Sequence, residues 1–179
     1  MKKILCLFTL FAYFSGYSQD YYSGDTAYGS DVIYKVTSWG NNFGRIISNI
    51  NNTKVRTQPL LKNGSEVNPG YIKVVKSNDI DGAILKKIIT EIIPASKIAE
   101  WKKEKTTLLL LEVVIDPNGR ISEVCFLIPN NSILLAIHPD NYYQIEQKIK
   151  DQIKYTLDAQ TRNWYQWITE GMGIRSDEL

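Results

Sequence analysis

The chain has 179 residues, 44% of them hydrophobic and 22% charged, with 21 basic and 19 acidic side chains. The two surplus lysines, Lys2 and Lys3, precede an apolar run, so the remainder is charge-balanced and has no basic stripe of the kind nucleic acid requires. A single histidine, His138, excludes a His-Glu-x-x-His zinc site and any chemistry needing two histidines in one copy.

Lys2-Lys3, the apolar run Ile4 to Phe14 and then Ser15-Gly16-Tyr17-Ser18 read as a secretory signal peptide, residues 1–18, with cleavage expected between Ser18 and Gln19. The run of 11 residues is short against the roughly 20 that span a bilayer. Cys6 lies inside the run rather than after it, which argues against lipid anchoring. Removing 18 of the 179 residues leaves 161, enough for one domain, and no later stretch is long and apolar enough to cross a membrane. Cys125 alone survives cleavage, so no internal disulfide is expected in a periplasmic or secreted product.

Residues 19–31 are rich in Tyr, Gly, Ser and Asp without periodicity and predict a flexible N-terminal segment ahead of a single domain, 32–179. Alternation from Val32 to Trp39 predicts a strand. Further short strands at Arg45 to Ile50, Lys54 to Thr57 and Tyr71 to Lys76, separated by Asn- and Gly-containing turns, suggest a β-meander. Ile84, Leu85, Ile88, Ile89, Ile92 and Ile93 recur at helical spacing and predict a helix over 81–93, stopped by Pro94. A second short helix, capped by Ser96, runs through Trp101 to Lys103.

The clearest unit is a β-hairpin over 106–128, turned by Asp116-Pro117-Asn118-Gly119. Both of its strands are apolar on both faces, so both faces need cover. A helix over 140–157, with Tyr142, Ile145, Ile149, Ile153 and Leu157 on one side, is expected to cover one face and the 81–93 helix the other. The tail carries Trp164, Tyr165 and Trp167, then Gly171 and Gly173, and predicts a packed turn or short strand followed by a loose polar end. The fold class is therefore α+β, a mainly antiparallel sheet with the hairpin at its centre.

The hairpin, its Asp-Pro-Asn-Gly turn followed by Arg120-Ile121, and the amphipathic helix together resemble the β-β-α core of TonB C-terminal domains over Leu108 to Tyr155. The resemblance implies a periplasmic module that binds partner proteins by adding a strand or docking a sheet edge, without enzymatic activity. No transmembrane helix, Pro-rich spacer or final strand is read here, so the energy-transducing role is not carried over. A signal ending in Ser18-Gln19 and a body rich in Asn, Ile, Lys and Tyr are similar to small exported proteins of unknown function from Bacteroides-type bacteria. Asp25-Thr26-Ala27 resembles the short site that such organisms O-glycosylate, which makes Thr26 a candidate.

Chemistry has few candidates. Cys125 and His138 could form a thiol–imidazole dyad, but a cysteine between Val124 and Phe126 reads as a small packing residue, and His138 is placed to cap a helix. Glu112 and Glu123 could face each other across the hairpin as an acid pair, although solvent edges with lysine partners are the ordinary reading. The sequence therefore points to a non-enzymatic protein-binding module of the cell envelope, without cofactor or metal, using an edge strand or the Trp164, Tyr165 and Trp167 segment. A glycan-binding module using exposed Trp and Tyr is the alternative, and a small hydrolase using a carboxylate or Cys125 is the third reading.

Overall fold

The computed structural model describes residues 19–41, 43–65, 74–79, 82–104 and 108–179. The expected signal peptide, the turn at 68–70, residues 71–73 of an expected strand, Asp81 and Thr106 lie outside them. In chain order the elements are β1 (Thr26–Tyr28), β2 (Ile33–Trp39), β3 (Gly44–Asn49), β4 (Val74–Ser77), α1 (Ala83–Ile92) and α2 (Ala95–Trp101). β5 (Leu108–Ile115), β6 (Ile121–Pro129), α3 (Pro139–Gln152), β7 (Tyr155–Leu157), α4 (Ala159–Trp164) and β8 (Ile168–Arg175) follow. The fold is α+β, with a six-stranded antiparallel sheet in the order β1-β2-β3-β6-β5-β8 and a small sheet of β4 and β7.

The β5–β6 hairpin sits inside the large sheet, as its two-sided apolar pattern demands. Its turn is built as the sequence dictates: Asp116 Oδ1 accepts from the amides of Asn118 and Arg120, and Gly119 takes φ +79°. Gly119 has a second reason to lack a side chain, because a Cβ there would run into the carbonyl oxygen of Tyr155.

One face of the sheet carries Leu111, Val113, Val124 and Phe126, all buried, against the helices. The rings of Phe126 and Tyr142 in α3 are 4.8 Å apart, and Tyr34 of β2 meets Phe126 edge-on. Helix α1 leans on α3, with Leu85, Ile88 and Ile89 buried, so the two helices are neighbours and not covers of opposite faces. The cap of α1 comes from outside the helix, since Asp79 Oδ1 accepts from the amides of Ile84 and Leu85. His138 caps α3 by accepting from the amide of Asp140, and the Asp140 carboxylate in turn accepts from the amide and hydroxyl of Ser30. That contact ties the β1–β2 turn to the helix.

Four further expectations are corrected. Residues 19–31 belong to the domain: Tyr22 is fully buried, its hydroxyl donates to the carbonyl of Ile137, and Ala27 in β1 is part of the core. The helix expected to reach 157 ends at Gln152, where Asn78 accepts from the Lys154 amide and donates to the Gln152 carbonyl; Tyr155–Leu157 then pairs with β4. Ile153 and Leu157 continued the four-residue spacing while serving a turn and a strand. Lys54 to Thr57 is a loop, not a strand, and Arg56 within it has φ +61°. The loose polar end is an eight-residue strand, β8, paired with β5 along its whole length from Leu108–Arg175 to Ile115–Ile168.

Candidate functional site

The acid pair and the cysteine share one face of the sheet. Glu112 pairs with Cys125 and Val114 with Glu123, so Glu112, Cys125 and Glu123 all lie on the side away from Phe126. Neither carboxylate is at a solvent edge with a lysine partner. Glu123 is buried and accepts from the backbone amides of Thr53, Lys54 and Val55 at 3.1, 2.8 and 3.0 Å. Glu112 accepts from the amide of Arg56 at 2.7 Å and from its guanidinium at 2.9 Å. The two acids therefore bind the 53–56 loop, and the loop covers the second face of the hairpin. Burial, with Glu112 close by, pushes the Cys125 thiol up to about 12, so it holds its proton at neutral pH. His138 lies on the other side of the sheet, at the start of the helix that packs on Phe126, and stacks edge-on against Tyr21. The structure does not bring Cys125 and His138 together.

The aromatic segment is divided by burial. Trp164 is 56% exposed, whereas Tyr165 and Trp167 are buried. The segment is stitched to residues 60–62: the Lys62 amide donates to the Trp164 carbonyl, and the Gln166 amide to that of Leu60. The ammonium of Lys54 stands 5.5 Å over the Trp167 ring. Of the three aromatic candidates, Trp164 is the one exposed to solvent. Thr26 sits half-buried in the edge strand β1 opposite Lys35.

The segment leads directly into β8, an edge strand that has β5 on one side and no described strand on the other. The amide of Arg175 donates to Glu178 Oε2, so it points away from β5. In an unbroken antiparallel ladder the backbone groups of alternate residues point the same way, which directs those of Thr169, Gly171 and Gly173 outward as well. A side chain at Gly171 would meet nothing within 4 Å. Sequence reasoning missed this edge because glycines at alternate positions suppress the β signal; the alternation of Ile168, Met172 and Ile174 was its only trace.

A concavity of about 800 Å³ opens beside the β2–β3 turn. Its walls come from residues 19–25, from the β2 and β3 ends at Ser38 and Arg45, and from the short 3-10 turn Ile133–Ala136. Arg45 pairs with both oxygens of Asp20 at 2.7 Å, fastening the N-terminal segment across β3.

No protein-family model matches the chain, and no curated protein matches it in sequence. Among solved structures the fold is similar to that of a DUF5043 family protein from Bacteroides uniformis, with a TM-score of 0.69 over 87% of each chain at 16% sequence identity. This likeness shows the fold and accords with the sequence resemblance to uncharacterised proteins of Bacteroides-type bacteria.

Proposed function

We propose that the protein is a non-enzymatic binding module of the bacterial cell envelope, exported by residues 1–18, which takes an extended segment of a partner protein onto the free edge of β8. The observation that carries this reading is the row of outward-pointing backbone groups at Thr169, Gly171 and Gly173, of which the Gly171 amide rests on the flexible, partly exposed Glu170 carboxylate and would exchange it for the partner. Such a row is a template for strand addition, in which backbone hydrogen bonds supply affinity. The glycines let a partner backbone approach closely, and exposed Trp164 stands near the start of the strand as a side-chain anchor. The catalytic alternatives lose support because Glu112 and Glu123 are occupied by loop amides and Cys125 is a protonated, buried thiol.

Truncation after Asn163 is a poor test, since it would strip buried Ile168 and Ile174 from the core. Gly171→Pro is better. Proline removes one outward amide from an edge strand and leaves the β5 ladder intact. Pull-downs from envelope extract with the wild type, Gly171→Ala and Gly171→Pro should recover a common partner with the first two and lose it with the third. In the complex, the amides of Thr169, Gly171 and Gly173 should gain protection from hydrogen exchange. Equal recovery with Gly171→Pro refutes the reading.

A further inference from the structure

We propose a second binding site, independent of β8: the cleft beside the β2–β3 turn takes a short neutral oligosaccharide. Its volume of about 800 Å³ lies within the range of small-ligand sites. The walls divide into two kinds. Ser23, Thr37 and Asn131 offer hydroxyl and amide groups, while Val36, Ile133 and Leu135 contribute apolar surface. A sugar ring has the same division, with hydroxyls around its edge and C–H bonds on its faces.

The charges in the cleft are largely committed to the protein itself. Asp20 is paired with Arg45, and Glu104 accepts from the hydroxyl of Ser132 and the amide of Ile133 at the start of the 3-10 turn. The remaining carboxylate of the lining, Asp25, is exposed to water. Three acids against one arginine repel an anionic ligand, and paired acids leave little to hold a cation, so hydrogen bonding to a neutral partner is the interaction the walls supply. The walls are also pre-formed. Tyr22 anchors the 19–25 side in the core, and the amide of Tyr21 donates to the carbonyl of Leu135 across the gap.

A second observation points the same way. The turn that borders the cleft carries an edge-to-face aromatic pair, Trp39 and Phe43, with centroids 5.4 Å apart. Phe43 is 68% exposed, and its carbonyl accepts from the amide of Asn130, a cleft residue. Exposed Phe43, backed by half-buried Trp39 beside a hydroxyl- and amide-lined cleft, gives a sugar chain an apolar platform where it leaves the cleft.

The test is titration of the isotope-labelled protein with maltopentaose, cellopentaose, xylopentaose, mannopentaose and chitopentaose, each to about 10 mM, which detects dissociation constants of roughly 1 mM and tighter. At least one should shift the amide resonances of residues 20–25, Ser38, Arg45 and 130–132. Phe43→Ala and Asn131→Gly should each weaken that binding about tenfold, the loss of one good contact. Neither should disturb folding, since Phe43 is exposed and Asn131 has φ +66°, which glycine accepts freely. Silence from all five sugars, a response centred away from the cleft, or unchanged affinity in both variants overturns the assignment. A stronger response of the same resonances to spermidine would overturn it in favour of a cationic ligand.

Discussion

Replacing Glu123 by glutamine tests whether the second face of the hairpin is held by its carboxylate. Three backbone amides and the Thr53 hydroxyl converge on the two oxygens of this buried side chain. Glutamine keeps one acceptor oxygen and turns an amide nitrogen, itself a donor, toward the remaining amides. Two charge-assisted hydrogen bonds are lost, and at about 1.5–3 kcal/mol each, discounted because a surface loop regains water, the net cost is roughly 2–4 kcal/mol. With a urea m-value near 2 kcal/mol/M, the unfolding midpoint should fall by about 1–2 M at unchanged m. Hydrogen exchange at Thr53, Lys54 and Val55 should accelerate while that of β1 and β2 does not. A midpoint within about 0.2 M of wild type, with these amides still protected, would refute the reasoning.

Gly119→Ala combines a left-handed backbone with a collision against the Tyr155 carbonyl, and calorimetry should show a loss of at least about 2 kcal/mol. The hydrogen bonds from Ser30 hold the Asp140 carboxyl below its usual range, so its contribution is present above the ordinary aspartate pKa and is lost as pH falls through the depressed value. The melting-temperature gap between wild type and Asp140→Asn should accordingly be full at neutral pH and begin to close only as pH falls below the ordinary aspartate pKa.

The parts legible in the sequence were those whose local chemistry and pattern agree. The Asp116 to Gly119 turn, the apolar strands beside it and the stripe of α1 each carry a complete local signal, and each stands where it was read. The misreadings arose where distant partners decide the outcome. Tyr22 sits in a segment of loop-like composition, yet Tyr142, 120 positions later, gives it a place in the core. Lys54 to Thr57 reads as a strand by propensity, but Glu112 and Glu123 draw the amides of residues 53–56 onto another element. In β8 the glycines that erase the strand signal are the residues that leave its outer edge open. The cleft could not be foreseen, because its walls come from three segments whose approach depends on Tyr22 and the Asp20–Arg45 pair.

The order of strands also constrains how the chain can be made. β3, at residues 44–49, finds its second neighbour in β6, at 121–129, and β6 meets its other side through β5, whose far flank waits for 168–175. A polypeptide emerging amino end first therefore presents a three-strand meander with an open, partly apolar flank until residue 129 is out. Closing so long a loop costs entropy before any pairing rewards it, which places this domain among the slower folders. During that interval the flank of β3 is open to any extended chain nearby, so a holding chaperone should raise the yield of folded protein more than a faster rate of synthesis would.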